Sequence, residues 1–284
     1  MTVRRAQRTD GRAPDGTRLA VYEWGNAAGP EILLVHGIAQ CHLCFRPQYE
    51  SPLAERFRLV SYDQRGHGEA DQPADPAAYQ GNRVWADDLA AVVAAKRLRR
   101  PVVVGWSMGG RVTRQYLMTY GDDAIAGVNF VASLVVEDAR WRGPDGPKRP
   151  PEGQSLDEEI DAAIAFVDGC YGKKPSEAEF RRVLAYNMRV PAFVRRAIGG
   201  WSTDPAQTMA ALGKVRVPIL ITHGCKDTVV LPGGAELTLA AMPHARLSWF
   251  DDCGHSPFAE DPGRFNDELA AFVQACQTAG PGVP

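Results

Sequence analysis

Apolar residues fall along this chain in short runs closed off by turn residues. The runs are Ile32-Leu33-Leu34-Val35, Leu59-Val60-Ser61-Tyr62, Val102-Val103-Val104, Val128-Asn129-Phe130-Val131, Ile219-Leu220-Ile221-Thr222 and Arg246-Leu247-Ser248-Trp249-Phe250. Near-continuous apolar strands are what a parallel sheet covered on both faces requires, because neither face meets water. Residues 17–24 alternate instead and follow the turn dipeptide Asp15-Gly16, which predicts a hairpin strand. Helical periodicity fills 85–97, 112–120 and 265–276. Strands alternating with helices predict an open, mostly parallel twisted α/β sheet with helices on both faces.

Residues 137–213 break that rhythm. A loop rich in Gly and Pro (Gly143-Pro144-Asp145-Gly146-Pro147, then Pro150-Pro151) leads into helical patterns at 156–167, 176–188 and 192–198, with no strand among them. Ser176 and Glu179 have the spacing of a capping box. This predicts a core domain of 1–136 and 214–284 with a helical cap of 137–213 inserted before the next strand. Such a cap would sit over the carboxyl ends of the strands, where open α/β sheets bind their ligands.

Composition narrows the function classes. Of 284 residues, 32 are Lys or Arg and 34 Asp or Glu, a formal net charge of −2, and 45% are hydrophobic. Those values fit a globular chain and exclude disorder, while the near-neutral charge argues against a nucleic-acid partner. The basic run at 96–100 reads as a solvated helix end. The first eight residues carry charge without an apolar stretch behind them, which does not fit a secretory signal. The longest apolar stretch, 125–136, falls short of the about 20 residues a membrane span needs. A soluble, cytoplasmic protein without a membrane partner is therefore expected. Cys41-His42-Leu43-Cys44 has the spacing of a metal or redox pair, but the other four cysteines are scattered singly. Ordinary thiols and no metal site are expected, with a Cys41–Cys44 disulfide as the alternative.

The strongest chemical signal is Gly105-Trp106-Ser107-Met108-Gly109-Gly110, set between the strand at 102–104 and a helical stretch. A Gly-x-Ser-x-Gly in that context is a nucleophile elbow, whose turn is too tight for Cβ groups at the flanking positions. The helix that follows would offer free N–H groups to a developing oxyanion. A serine hydroxyl needs a base, and the base an orienting acid. Of six histidines, His255 follows the last strand on a Gly/Pro-punctuated loop, at the same sheet edge as Ser107. His36 and His67 lie in other turns, His223 at a strand end, and His42 and His244 look like loop or surface residues. Asp227 follows the strand at 219–222 and is the preferred acid over Asp251 and Asp252, which would have to fold back on their own strand end.

The order Ser107, Asp227, His255, with its local motifs, resembles the α/β-hydrolase-fold serine hydrolases, in the branch of small esterases and cofactor-free haloperoxidases. The resemblance spans about residues 17–273 and is weakest over the cap. It implies an oxyanion hole built from the backbone N–H groups of Ile38, in Val35-His36-Gly37-Ile38, and of Met108. It also implies that Asp63-Gln64-Arg65-Gly66-His67-Gly68 is a structural loop, making His36 and His67 architectural. Trp106 and Gly37 are expected at the substrate pocket, Trp106 chiefly by packing. No metal or organic cofactor is implied, and the partner is a small to medium ester. The same triad would also serve a lactonase, a perhydrolase or a carbon–carbon bond hydrolase, and a receptor-like module with little turnover is the reading of another class. Serine at 107 departs from epoxide hydrolases and haloalkane dehalogenases, whose nucleophile is a carboxylate. The sequence leaves the oligomeric state open.

Overall fold

The computed structural model describes residues 6–199 and 204–278. Its strands are β1 (Gln7–Arg12), β2 (Arg18–Gly25), β3 (Glu31–Val35), β4 (Arg58–Asp63), β5 (Val102–Trp106), β6 (Gly127–Val131), β7 (Ile219–Gly224) and β8 (Arg246–Phe250). They form one sheet in the order β1-β2-β4-β3-β5-β6-β7-β8. The β1–β2 and β2–β4 pairs are antiparallel; from β4 onward every pairing is parallel. This is the α/β hydrolase fold.

The apolar runs do what two-sided burial demands. Leu33, Val35, Val60, Val103, Phe130 and Ile221 share one core layer, and their neighbours Ile32, Leu34, Leu59, Val104, Val131 and Leu220 share the other. Successive side chains thus point to opposite faces, and both faces are dry. The first layer is covered by α3 (Arg83–Ala95), through Trp85, Leu89 and Val92, and by α4 (Met108–Tyr120), through Val112 and Tyr116. The second is covered by α11 (Pro262–Thr278), through Phe265, Leu269 and Val273, with the short α1 (Arg46–Tyr49), α2 (Leu53–Arg56) and α10 (Pro257–Glu260) beside it. Between β6 and β7 lie α5 (Leu156–Gly169), α6 (Glu177–Asn187), α7 (Ala192–Ala197) and α8 (Pro205–Leu212). The last of these packs against α4 and against α9 (Gly233–Ala241).

Several expectations change in detail. The polar start contains β1, an edge strand with five of its six residues exposed, which pairs through backbone and carries no apolar signature. The basic run after α3 is not wholly solvated, since Lys96 forms an ion pair with the largely buried Glu23. The capping box with both reciprocal hydrogen bonds belongs to Ser155 and Glu158 at the start of α5; at α6 only the Ser176 side chain caps, accepting from the Glu179 N–H.

Candidate active site

Strand β5 delivers the chain into Ser107, which sits at φ 53° and ψ −116°, a conformation L residues rarely adopt. Two contacts hold it there: the Ser107 N–H donates to the Val131 carbonyl at 2.9 Å, and Ser133 Oγ donates to the Ser107 carbonyl at 2.7 Å. The glycine two residues on is required by close approach, because a Cβ on Gly109 would lie 2.1 Å from the Val35 carbonyl oxygen. With no side chain there, the start of α4 presses onto the end of β3. At the start of α4 the Met108 and Gly109 amides precede the first helical hydrogen bond, which Gly110 N–H makes to the Ser107 carbonyl at 3.0 Å. Strain of this kind persists only where the surroundings over-determine it, and it concentrates at functional positions.

The turn after β7 carries Asp227, and the loop after β8 carries His255. His255 Nδ1 lies 2.8 Å from Asp227 Oδ2. The other carboxylate oxygen accepts from the Val229 N–H at 2.8 Å and the Val230 N–H at 2.9 Å, which fixes the plane of the group. A second imidazole also reaches it: His223 Nε2 is 3.2 Å from Asp227 Oδ2 and 2.9 Å from the Val230 carbonyl. Both neighbours accept, so His223 carries its proton on Nε2. Burial by itself pushes the Asp227 carboxyl up, but His255 and His223 outweigh it and hold the group well below the usual carboxylate range. With Nδ1 turned to Asp227, the other ring nitrogen of His255, Nε2, is buried and has no hydrogen-bond partner. Trp106, beside Ser107, donates from Nε1 to the His255 carbonyl at 2.8 Å, and the two rings lie 5.7 Å apart. Asp251 and Asp252 are exposed, the latter paired with Lys226 at 2.8 Å.

The remaining histidines go elsewhere. His36 is fully buried, with Nδ1 on the Gly37 carbonyl at 2.8 Å and Nε2 accepting from the Gln64 N–H at 3.1 Å. His67 donates from Nδ1 to the Arg65 carbonyl at 2.9 Å. His42, expected as a loop or surface residue, lies between β3 and β4 but is buried: it is 2.8 Å from Asp63 Oδ1 and stacks on Tyr22 with 3.5 Å between ring centroids. Cys41, His42 and Asp63 bring ligand-type atoms within 4.8 Å of one another, but the His42 and Asp63 atoms already satisfy each other. Burial pushes the Cys41 thiol far up. Cys41 and Cys44 are both free thiols.

The two buried turn histidines make stability pH-dependent. Burial lowers the His36 imidazole to about 4 and that of His67 to about 3. In an unfolded chain each would take up a proton near pH 6.5, so below that pH the unfolded state binds more protons and stability falls until the folded values are reached. Urea titrations at about pH 7 and about pH 5 should therefore show a drop in unfolding free energy, with a smaller drop in His67→Asn. Equal drops in the two proteins would refute the assignment.

A cavity of about 840 Å³ opens over Ser107, with Ile38 and Met108 beside the serine in its lining. Its far wall comes from the segment between β6 and β7, including Phe166 of α5 and Arg195 and Ala197 of α7. Neither Trp106 nor Gly37, both expected at the pocket, is among the lining residues. Trp106 packs edge-on against Phe258 and supports the His255 loop from below, while a Cβ on Gly37 would meet Ser107 Cβ at 3.3 Å. Among the described residues, no helix is long and apolar enough to cross a membrane.

This sheet order, with a serine on a strained strand-to-helix turn, defines a class of proteins. The chain belongs to the α/β hydrolase family, whose profile matches residues 32–268. Its structure is similar to that of a candidate aryl esterase from Burkholderia cenocepacia, at 33% identity and a TM-score of 0.87, covering 96% of this chain and all of that one. It is also similar to the esterase RhEst1 from Rhodococcus sp. ECU1013, at 29% identity and a TM-score of 0.85, covering 95% and 99% of the two chains. Among curated proteins, a non-heme chloroperoxidase of Streptomyces lividans is 25% identical over 92% of this chain and 98% of its own length.

Proposed function

We propose that the protein is a serine hydrolase that cleaves carboxylic esters through Ser107, His255 and Asp227. The observation that carries this reading is the buried, unpartnered Nε2 of His255, fixed through Nδ1 on Asp227, on a loop that Trp106 ties to the neighbouring strained serine, which opens onto a cavity. For this step the Ser107 hydroxyl has to turn to that nitrogen, a hydrogen bond not made in the structure; such hydrogen bonds are often unmade before substrate binds. Ser107 Oγ attacks the ester carbonyl carbon as His255 Nε2 takes its proton. Asp227 holds the imidazole in the required tautomer and stabilises its cation. The Ile38 and Met108 amides hydrogen-bond the oxyanion, a contribution of about 3–4 kcal/mol for one such donor. His255 then protonates the leaving alcohol, and water attacks the acyl-enzyme by the same route to release the acid and restore Ser107. The segment carrying α5–α7 acts as the cap over this chemistry. The esterases among the structural neighbours support the ester class.

A fluorophosphonate probe should label the protein rapidly and stoichiometrically at Ser107. Ser107→Ala should lose both the label and the hydrolysis of p-nitrophenyl esters. A protein that resists the probe and hydrolyses no ester, lactone or vinylogous diketone would be a receptor-like module instead. The resemblance to a chloroperoxidase favours one variation, in which hydrogen peroxide replaces water at the acyl-enzyme and releases a peracid. Halide oxidation that requires both peroxide and a carboxylic acid is its test.

A further inference from the structure

The cavity over Ser107 is strongly cationic although the chain as a whole is slightly acidic, at a formal net charge of −2. Six basic residues line it: Arg111, Arg142, Lys148, Arg149, Arg195 and Arg196. Among the described lining residues the one acid is Glu137. That carboxylate is already shared, taking Arg111 Nη2 at 2.8 Å, Arg142 Nη2 at 3.0 Å and, from behind, the buried Arg114 Nη1 at 3.5 Å. Arg195 is different in kind. Its Nε donates to the Val190 carbonyl at 3.0 Å, and its Nη2 to the Asn187 carbonyl at 2.6 Å and side-chain oxygen at 2.8 Å. Three neutral oxygens thus hold this guanidinium at the cavity wall; Glu159 acts on it electrostatically but is not among the groups that bind it. Burial pulls Arg195 below its ordinary value, yet a guanidinium stays ionised at neutral pH.

A concave wall of one sign, backed by low-dielectric protein, concentrates ligands of the opposite sign. A site shaped for neutral esters has no use for it, since uncancelled cations beside an apolar substrate only add desolvation cost. We propose that the cavity selects esters carrying an anionic group, a carboxylate or a phosphate monoester, away from the scissile bond. Arg195 and the loop cations Lys148 and Arg149 grip that anion while Ser107 engages the carbonyl. The inference rests on the ester-hydrolase reading and names the substrate class for that same site.

The test uses length-matched ester pairs that differ in charge. One pair is the mono-p-nitrophenyl ester of suberic acid against p-nitrophenyl octanoate; the other is p-acetoxyphenyl phosphate against p-methoxyphenyl acetate. In at least one pair, kcat/KM for the anion should exceed that for the neutral partner by about tenfold or more, as expected of charge-assisted hydrogen bonds. Which pair shows it distinguishes carboxylate from phosphate. The ratio should shrink at high salt and fall in Arg195→Gln. Because Arg195 also ties α7 to the end of α6, Arg149→Gln on the exposed loop gives a second measurement free of that role. Ratios at or below one in both pairs, unmoved by salt, would overturn the proposal. Calorimetric titration of Ser107→Ala with suberate and with p-hydroxyphenyl phosphate separates the two levels. Neutral esters hydrolysed with neither anion bound removes the anion inference alone, whereas anion binding without any ester turnover removes the hydrolase reading alone.

Discussion

His255→Ala should lower ester turnover by roughly 10⁴-fold or more, the loss seen when a base that works as a unit with its nucleophile is removed. His67→Ala should instead lower stability, with turnover per folded molecule far less affected. The two residues are alike in burial, and the contrast comes from their partners. His255 lies 2.8 Å from Asp227, leaves Nε2 without a partner and is tied through its carbonyl to Trp106 next to Ser107, whereas His67 gives its Nδ1 proton to the Arg65 carbonyl inside a structural loop. Turnover normalised to correctly folded protein, measured beside thermal melts, reads the two effects separately. A folded His67→Ala protein without activity, next to an active His255→Ala, would move the base to the wrong side of β3 and undo the mechanism.

The parts of this molecule that could be read from sequence are those where burial leaves little choice of residue. Strands β3 to β7 lie inside the sheet, so their runs of Val, Leu and Ile are conspicuous, whereas β1 meets solvent along most of its length and consists of Gln, Arg, Thr, Asp and one Gly. Helix α9 escaped because it opens on Gly233-Gly234 and buries small residues such as Ala235 and Ala241 in place of a bulky stripe. The serine turn was legible because it admits only glycine on either side, Gly105 against the start of α4 and Gly109 against the end of β3. The contacts that finish the site are not local. The Trp106 indole reaches the carbonyl of His255 across 149 positions of sequence, so nothing near Trp106 distinguishes a supporting role from a pocket role. His223 stood out only as a strand-end histidine four positions before an acid; that both of its acceptors lie in the following turn follows from how β7 ends. The charge of the cavity was invisible for a similar reason, since its cations come from α4, the loop after β6 and α7, and only the folded chain gathers them.

Asp88→Ala should cost about 3–5 kcal/mol, because it leaves a buried guanidinium without its counter-ion. Arg65 and Asp88 side chains are each 1% exposed, and the pair is bidentate, at 2.7 Å for Nε–Oδ2 and 2.6 Å for Nη2–Oδ1. Asp15 cannot replace the missing group: it is 44% exposed and takes only Nη1, at 2.8 Å. Asp15→Ala should accordingly cost far less, about 1 kcal/mol or below. For a domain of this size the Asp88 loss corresponds to a melting temperature lower by about 10 °C. The damage should extend to the candidate site, since Gln64, next to Arg65, donates from its N–H to His36 Nε2 at 3.1 Å and from its side chain to the His36 carbonyl at 2.6 Å. His36 opens the turn that carries Ile38, so loosening the pair loosens one wall of the cavity. Replacing both partners, Arg65→Met with Asp88→Leu, should recover part of the loss, because an apolar pair of similar volume leaves no charge stranded. If the double variant is as unstable as Asp88→Ala alone, packing and not the stranded charge sets the cost.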